Sequence, residues 1–403
     1  MKLVLNNLFS GLNIAFPENS FEVEFWDGTK KKYGQGENKF RLILKNKESI
    51  KRVLRSKSLG FGEEFTKGNI IIEGDLQCFL ILTHQVKSTL HFSLKDKLRI
   101  LYNYFFSPET VSKAKENVGY HYDLGNDFYF LWLDETLTYS SAYFRKENDT
   151  LKEAQLNKYH HISKKLQLKK GETLIDIGCG WGGMIFYATE NFGVKCEGYT
   201  LSENQYSYLK EKIKEKGLED FIKIHLKDYR KAEGKFDKFV SLGMFEHVGK
   251  KFYPVFFKKA KELLKPKGIG LLETVGSYKD KPVDKWITKY IFPGVFTPTL
   301  SMITEPMSKN NLVFFDIEDL RIHYAKTLDC WAENFEKNLD KIKPIIRKKF
   351  NDINKTEEFI KMWRLYLNGC SVSFKTGSKT QYQVAFTRDF NNKLPLTREY
   401  IYK

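Results

Sequence analysis

At 403 residues and 41% hydrophobic content, the chain is long enough for two domains and apolar enough to bury a real core. Five scattered cysteines (Cys78, Cys179, Cys196, Cys330 and Cys370) form no C-x-x-C pair, which argues against a disulfide framework or a zinc site and fits a reduced, cytoplasmic setting. The formal net charge of +17 would attract a polyanion, nucleic acid or an anionic membrane face, although a solvated lysine-rich surface accounts for it equally well.

The opening MKLVLNNLFSGLNIAF lacks both a long apolar core and a small-residue cleavage site, so no signal peptide is expected. Apolar runs such as residues 79–82 are far too short to span a bilayer, so lipid would be met from outside. Residues 1 to 106 read as a small mixed α+β domain. FEVEFWDG alternates like a strand and ends in the turn pair Asp27-Gly28; residues 39–44 and 69–74 look like further strands, and 48–55 has helical spacing. A polar stretch with Pro108 predicts a hinge, so residues 107–119 are taken as a linker.

From Tyr120 to residue 403 strands alternate with helices, the pattern of a doubly wound parallel α/β sheet. The strand candidates are LIDIGC, VKCEGYTL, IKIHL, FDKFVSLG and GIGLLETVG. Residues 278–370 are aromatic and helically spaced and are expected to form a helical insertion, before QYQVAFTR supplies a last strand.

The first of these strands runs into Asp176-Ile-Gly178-Cys179-Gly180-Trp181-Gly182-Gly183 and then a helical pattern. Glycines at such a turn let backbone approach a ligand closely. The spacing D-x-G-x-G-x-G-G differs from the dinucleotide G-x-G-x-x-G and resembles the adenosylmethionine motif of the doubly wound methyltransferases. The second strand ends at Thr200-Leu201-Ser202, with Gln205 beyond, where such folds meet the adenosine; Asp228-Tyr229, after the third, falls where the adenine ring would lie.

Longer strings extend the resemblance over nearly the whole chain. His121-Tyr-Asp-Leu-Gly-Asn-Asp127-Phe-Tyr129, Leu137-Thr-Tyr139-Ser140-Ser141-Ala-Tyr143-Phe144 and Gly243-Met-Phe-Glu246-His247-Val-Gly249 resemble the cyclopropane-fatty-acyl-phospholipid synthase family. So do Phe61-Gly-Glu63, Glu73-Gly-Asp75, Tyr366-Leu-Asn-Gly-Cys370 and Tyr382-Gln-Val. The resemblance implies a class I methyltransferase sheet with a small N-terminal lipid-type domain and a helical insertion over the active site. It implies S-adenosylmethionine as cofactor, with Tyr139 and Ser140 joining its site. The reaction it implies adds a methylene across a cis double bond of a phospholipid acyl chain.

That chemistry makes definite demands. Attack of the alkene on a sulfonium methyl leaves a carbocation, and a base must then take a proton from the new methyl before the ring closes. An apolar slot, aromatic faces and a placed base are needed. Trp286, Tyr290, Phe292 and Phe296 are candidates for the slot, with ordinary core packing the better reading of each one singly.

In the family the base is a bicarbonate held by Cys, Glu, His, Tyr and a backbone group. Carried over, these positions are Ser141, Glu246, Glu273, Tyr324 and the Val275 backbone, so Ser replaces Cys and Glu replaces His. Bicarbonate beside two carboxylates would crowd three anionic groups together, which disfavours full ionisation. The reading favoured is that Glu273 replaces bicarbonate, with pairing to a cation or a capping role as the plain alternative. His247 joins the catalytic candidates through its string. Cys370 does so by resemblance too, although no thiol nucleophile is needed and a buried structural cysteine fits better.

Other functions stay open. Methylation without ring closure uses the same cofactor and cation. Plant enzymes that methylate alkaloid nitrogen resemble this family, although the lipid-type N-terminal domain argues against an amine substrate. A non-catalytic lipid-binding protein need not keep complete cofactor strings. Nucleic-acid methylation would suit the charge, but no N-P-P-Y-type or paired-cysteine motif is present. The expected partner is membrane phospholipid, met peripherally at the inner membrane face, and a homodimer stays open.

Overall fold

The computed structural model describes residues 1–89 and 124–402. The expected boundary at 106, the linker at 107–119 and the start of the string at His121 lie outside the described residues. The first stretch forms α1 (Lys2–Ala15), β1 (Phe21–Glu24), β2 (Lys30–Tyr33), β3 (Phe40–Leu44), α2 (Lys47–Ser56), α3 (Ser58–Thr66), β4 (Ile70–Gly74) and α4 (Leu76–Thr89). The second opens with α5 (Asn126–Tyr129), α6 (Leu151–Leu166), β5 (Thr173–Ile177), α7 (Gly183–Phe192), β6 (Lys195–Thr200), α8 (Glu203–Glu215), β7 (Ile222–Leu226) and β8 (Phe236–Leu242). It continues through α9 (Tyr253–Leu263), β9 (Leu264–Gly276), α10 (Lys285–Tyr290), α11 (Leu300–Lys309), β10 (Leu312–Asp319) and α12 (Arg321–Lys337). The last elements are α13 (Leu339–Phe350), α14 (Ile353–Lys375), β11 (Thr380–Arg388) and α15 (Glu399–Tyr402).

Two compact units result. Met1–Ser107, Asp284–Ile291 and Leu339–Thr376 form one; Pro108–Val283, Phe292–Asn338 and Gly377–Lys403 form the other. In the first, the sheet order is β2-β1-β3-β4, with β1 and β3 parallel. Alternation sends Phe21 and Val23 inward beside Phe40 and Leu42, and the rings of Phe21 and Phe40 stack 5.0 Å apart. On the other face Arg41 pairs with Glu22 and Glu24. Strand β2, absent from the sequence reading, is an edge strand whose three lysines are exposed and whose Tyr33 alone is buried, so it carries little apolar signal. Buried Glu64 takes two bonds from Arg52, at 2.5 and 2.8 Å.

The expected block of helices at 278–370 needs correction. Helices α10, α13 and α14 group with the N-terminal elements, and Leu312–Asp319 is a strand of the large sheet. Its register against β11 shifts between Phe314 and Asp316, and this bulge breaks the period-two alternation that would have marked a strand in the sequence. Trp286 of α10 packs against α3, where a Cβ on Gly62 would lie 2.2 Å from its ring. Gln77 of α4 donates to Asn368 of α14 at 3.0 Å.

In the second unit the seven-stranded sheet runs β10-β11-β9-β8-β5-β6-β7. Strands β7, β6, β5, β8 and β9 are parallel to their neighbours, whereas β11 pairs antiparallel with both β9 and β10. Strand order reverses beside β5, which opens a crevice at the carboxyl ends of β5 and β8. The parallel strands are buried on both faces, by α6 and α7 on one side and α9 and α11 on the other.

Candidate active site

A cleft opens at this crevice, lined by Tyr139, Ser140, Asp176, Gly178, Cys179, Gly180, Trp181, Thr200, Leu201, Gln205, Asp228, Tyr229 and His247. Sequence reasoning had named all of these. Gly178 shows why the loop is glycine: its φ is +84°, and a Cβ would come 2.6 Å from Met244 Cβ. Gly182 and Ser202 do not line the cleft but shape it. A Cβ on Gly182 would lie 2.4 Å from Leu209, and Ser202 caps α8 by accepting from Gln205 N at 3.4 Å. Trp181 donates to Asn126 at 3.0 Å and packs on Tyr129 at 5.2 Å, so the string around residue 126 braces the glycine loop.

The lining has the right chemistry for an adenosylmethionine. Asp176 is buried, and its Oδ1 has no hydrogen-bond partner among the described residues. Burial pushes its pKa up to about 7, opposed by the charge of Lys158, so a ligand ammonium would find an unsatisfied acceptor there. Thr200 donates to Gln205 Oε1 at 2.8 Å, which fixes the end of β6. Burial would raise the Asp228 pKa, but the bonds from Arg230, at 2.7 to 2.9 Å, outweigh it and hold the carboxyl low.

Sequence reasoning missed Lys158, Tyr159, Lys227, Arg230, Met244 and Phe252, which also line the cleft. Two of these come from α6, which starts in a capping box between Thr150 and Glu153. Its inward face carries Gln155, Lys158, Tyr159, Ile162 and Lys165, all buried. Gln155 Nε2 donates to Ser140 O at 3.0 Å and Lys158 Nζ to Ser140 Oγ at 2.8 Å. Lys165 meets Asp316 at 2.8 Å and Glu318 at 2.5 Å. Lysine in a helix reads as solvated surface, and only the sheet opposite reveals these two as buried.

The family model described as mycolic acid cyclopropane synthetase matches residues 109–384. The chain belongs to this family. A separate model, a domain of unknown function, matches residues 6–93. The chain is 38% identical over 357 residues to the cyclopropane-fatty-acyl-phospholipid synthase of Escherichia coli, covering 88% of this chain and 90% of that protein. It is 33% identical to a probable fatty acid methyltransferase of Pseudomonas putida, covering 94% and 96%. Among solved structures, the mycolic acid cyclopropane synthase CmaA1 complexed with SAH and CTAB superposes with a TM-score of 0.63 at 33% identity, covering 68% of this chain and 98% of that one. The fold is that of the class I adenosylmethionine-dependent methyltransferases.

Glu246, Glu273, Ser141 and Tyr324, the expected base-site residues, do not line the cleft. Glu246 follows Met244 and precedes His247, both cleft-lining, but is itself buried; its Oε1 accepts from Val275 N at 2.5 Å and its Oε2 has no partner among the described residues. Burial pushes its pKa up to about 7. Glu273 is fully buried on β9 and accepts from Gln383 at 2.9 Å; burial raises its pKa, opposed by Lys158. The two acids thus do not open onto the cleft as expected: Glu273 points to the sheet face covered by α6. Ser141 is fully buried, and the next residue's N–H donates to Thr327 of α12 at 2.9 Å. Tyr324, one turn earlier on α12, packs on Trp331, which packs on cleft-lining Tyr139.

Burial drives the pKa of His247 down to about 4, so its ring is neutral near pH 7. Phe292 lies 5.6 Å from that ring, and Phe296 N donates to Glu246 O at 3.0 Å. The other two slot candidates, Trp286 and Tyr290, belong to the first unit, as does Cys370, which is half-buried rather than buried as expected.

Proposed function

We propose that the protein transfers a methylene from S-adenosylmethionine to the cis double bond of an unsaturated phospholipid acyl chain, forming a cyclopropane. The observation that carries this reading is the conjunction of the glycine-loop cleft, with its unsatisfied Asp176 carboxyl, and a buried pair of acids immediately behind it. The names of the relatives in Escherichia coli and Pseudomonas putida point the same way.

The bound cofactor supplies an electrophilic methyl. Asp176 would receive its amino group, the Gly178–Gly182 backbone would face its amino-acid portion, and Asp228 and Tyr229 would hold its adenosine. His247, neutral, borders the reacting space without adding charge to a developing cation. Phe292, beside His247, and Phe296, whose N–H bonds Glu246 O, would shield the reacting space from water. Glu273 serves as the internal carboxylate, with Glu246 held by the Val275 N–H as its neighbour. With Glu273 ionised beside Glu246, a bicarbonate would be a further anion in the same buried space, so the reaction is read as bicarbonate-independent.

The enzyme works peripherally on membranes. Its net charge of +17 favours an anionic lipid face, and among the described residues no helix is long and apolar enough to cross a membrane. The test is mass spectrometry of lipids from a host expressing the chain. Acyl chains heavier by one methylene that resist hydrogenation support cyclopropanation; the same mass gain in hydrogenatable chains would show methylation without ring closure. Vesicle sedimentation indifferent to both lipid charge and salt would remove the membrane part of the reading.

A further inference from the structure

Lys158 is a fully buried lysine on the wall of a ligand cleft, and the chemistry above does not use it. Its ammonium donates to Ser140 Oγ at 2.8 Å, while Gln155, one turn earlier, holds the Ser140 carbonyl. The face it looks onto follows from strand alternation. Leu174 of β5 and Leu271 of β9 belong to the core cluster that contains Tyr159, Ile162 and Leu166 of α6. Asp176 and Glu273, each two residues further on, therefore share that face. Glu273, Asp134 and Asp176 are the carboxylates that act on Lys158, in that order of strength. In turn, Lys158 is the strongest charge acting on Glu273; Lys165 of α6 acts more weakly, and Gln383 of β11 bonds it directly. Glu246 feels Glu273 as a like charge.

We propose that Lys158 is a positioning residue of the transfer reaction, whose ammonium fixes the Ser140 hydroxyl on the cleft wall and supplies the positive charge that keeps Glu273 a carboxylate. The proposal rests on the reading of Glu273 as internal base and deepens it. Glu273 is fully buried behind the cleft, where an isolated carboxylate would take up a proton and lose its basicity. A cation on the α6 face that covers both Asp176 and Glu273, bonded to Ser140 of the cleft wall, ties the two halves of the site together. Burial raises the pKa values of Asp134, Asp176 and Glu273, and the Lys158 ammonium opposes that rise at all three.

The experiment compares the unmodified protein with Lys158→Gln and Lys158→Arg. Transfer from adenosylmethionine to vesicles of monounsaturated phosphatidylethanolamine and phosphatidylglycerol is followed from pH 6 to 9. Loss of the charge should raise the pKa of Glu273, so the acid limb of the kcat profile should move to higher pH by about one unit or more in the Gln variant, with kcat falling roughly tenfold at neutral pH. The Arg variant should leave the limb in place even where its rate is lower. A purely structural lysine would lower the melting temperature without moving the limb, and that result overturns the proposal.

An activity-independent arm uses infrared difference spectra of the unmodified protein against Glu273→Gln at pH 7. No protonated-carboxyl band should be assignable to Glu273. Such a band would overturn the charge role of Lys158 whether or not the Lys158 variants fold. If the unmodified protein transfers nothing to lipid while the spectra show an ionised Glu273, the function reading fails and the electrostatic assignment stands.

Discussion

The cleft and the buried acids behind it belong to one sheet but are built by opposite means. At the end of β5 the shape of the cleft depends on residues without side chains, as at Gly178. At β9 and the turn after β8 the polar groups are side chains taken out of water, and their protonation depends on neighbours from α6 and β11. At Gly178 and Gly182 almost no substitution is tolerated, because a Cβ has nowhere to go. Buried charges can be exchanged provided some neighbour adjusts the charge balance.

The largest effect is therefore expected in the loop. Gly178→Val should abolish adenosylmethionine binding measured by calorimetry while leaving the circular dichroism of the fold in place; equal affinity in both proteins would break the assignment of the cleft. Next comes the base. Glu273→Gln should reduce turnover by ~10²–10⁴-fold, the usual contribution of a general base, with cofactor affinity little changed. A comparable loss of affinity would move Glu273 from the chemistry to the binding surface.

A third measurement sharpens the contrast by looking for no effect. Assays in carbonate-depleted buffer should run at the full rate, and the double change Glu273→His with Ser141→Cys should create a bicarbonate requirement. Recovery of the unmodified protein's rate on adding bicarbonate would defeat the internal-base reading.

The smallest effect lies in the first unit, where Glu64 offers a buried acid whose partner is a salt bridge rather than a reaction. Arg52 is the main cause holding its pKa at about 2, well below the ordinary 4.5. A depressed pKa stabilises the fold fully above the ordinary value and is lost as pH falls through the folded value. Chemical denaturation should thus show the unmodified protein losing its advantage over Glu64→Gln between pH 4.5 and about 2. The difference at pH 7 should be about 1 kcal/mol, modest because Arg52 is half exposed. A constant difference across that range would mean the pair contributes by packing.

The glycine loop, the ends of β6 and β7 and the turn at Glu246 were legible because each is a contiguous string at a strand end. The parallel strands were legible as short apolar runs. What escaped was set by partners distant in sequence. Strand β10 is disguised by its bulge, β2 by its lysines, and Lys158 and Lys165 look like surface residues until β5, β9 and β10 are placed opposite them. Trp286 was a slot candidate whose better single reading was core packing, and the partner it packs against, Gly62, lies more than 200 residues away in the chain.

The interleaving of the two units also bears on the order in which they can be completed during synthesis. The first unit needs α14, which ends at Lys375, and the large sheet needs β11, which is inserted between β9 and β10 only after residue 380 has been made. Neither unit can close while its early elements are leaving the ribosome, so β9 and β10 wait with unpaired edges for a strand still to come. Such edges are where chains stick to one another. A nascent chain of this protein should therefore depend on holding factors until β11 has emerged, and a premature stop before Thr380 should leave an aggregate rather than a shortened enzyme.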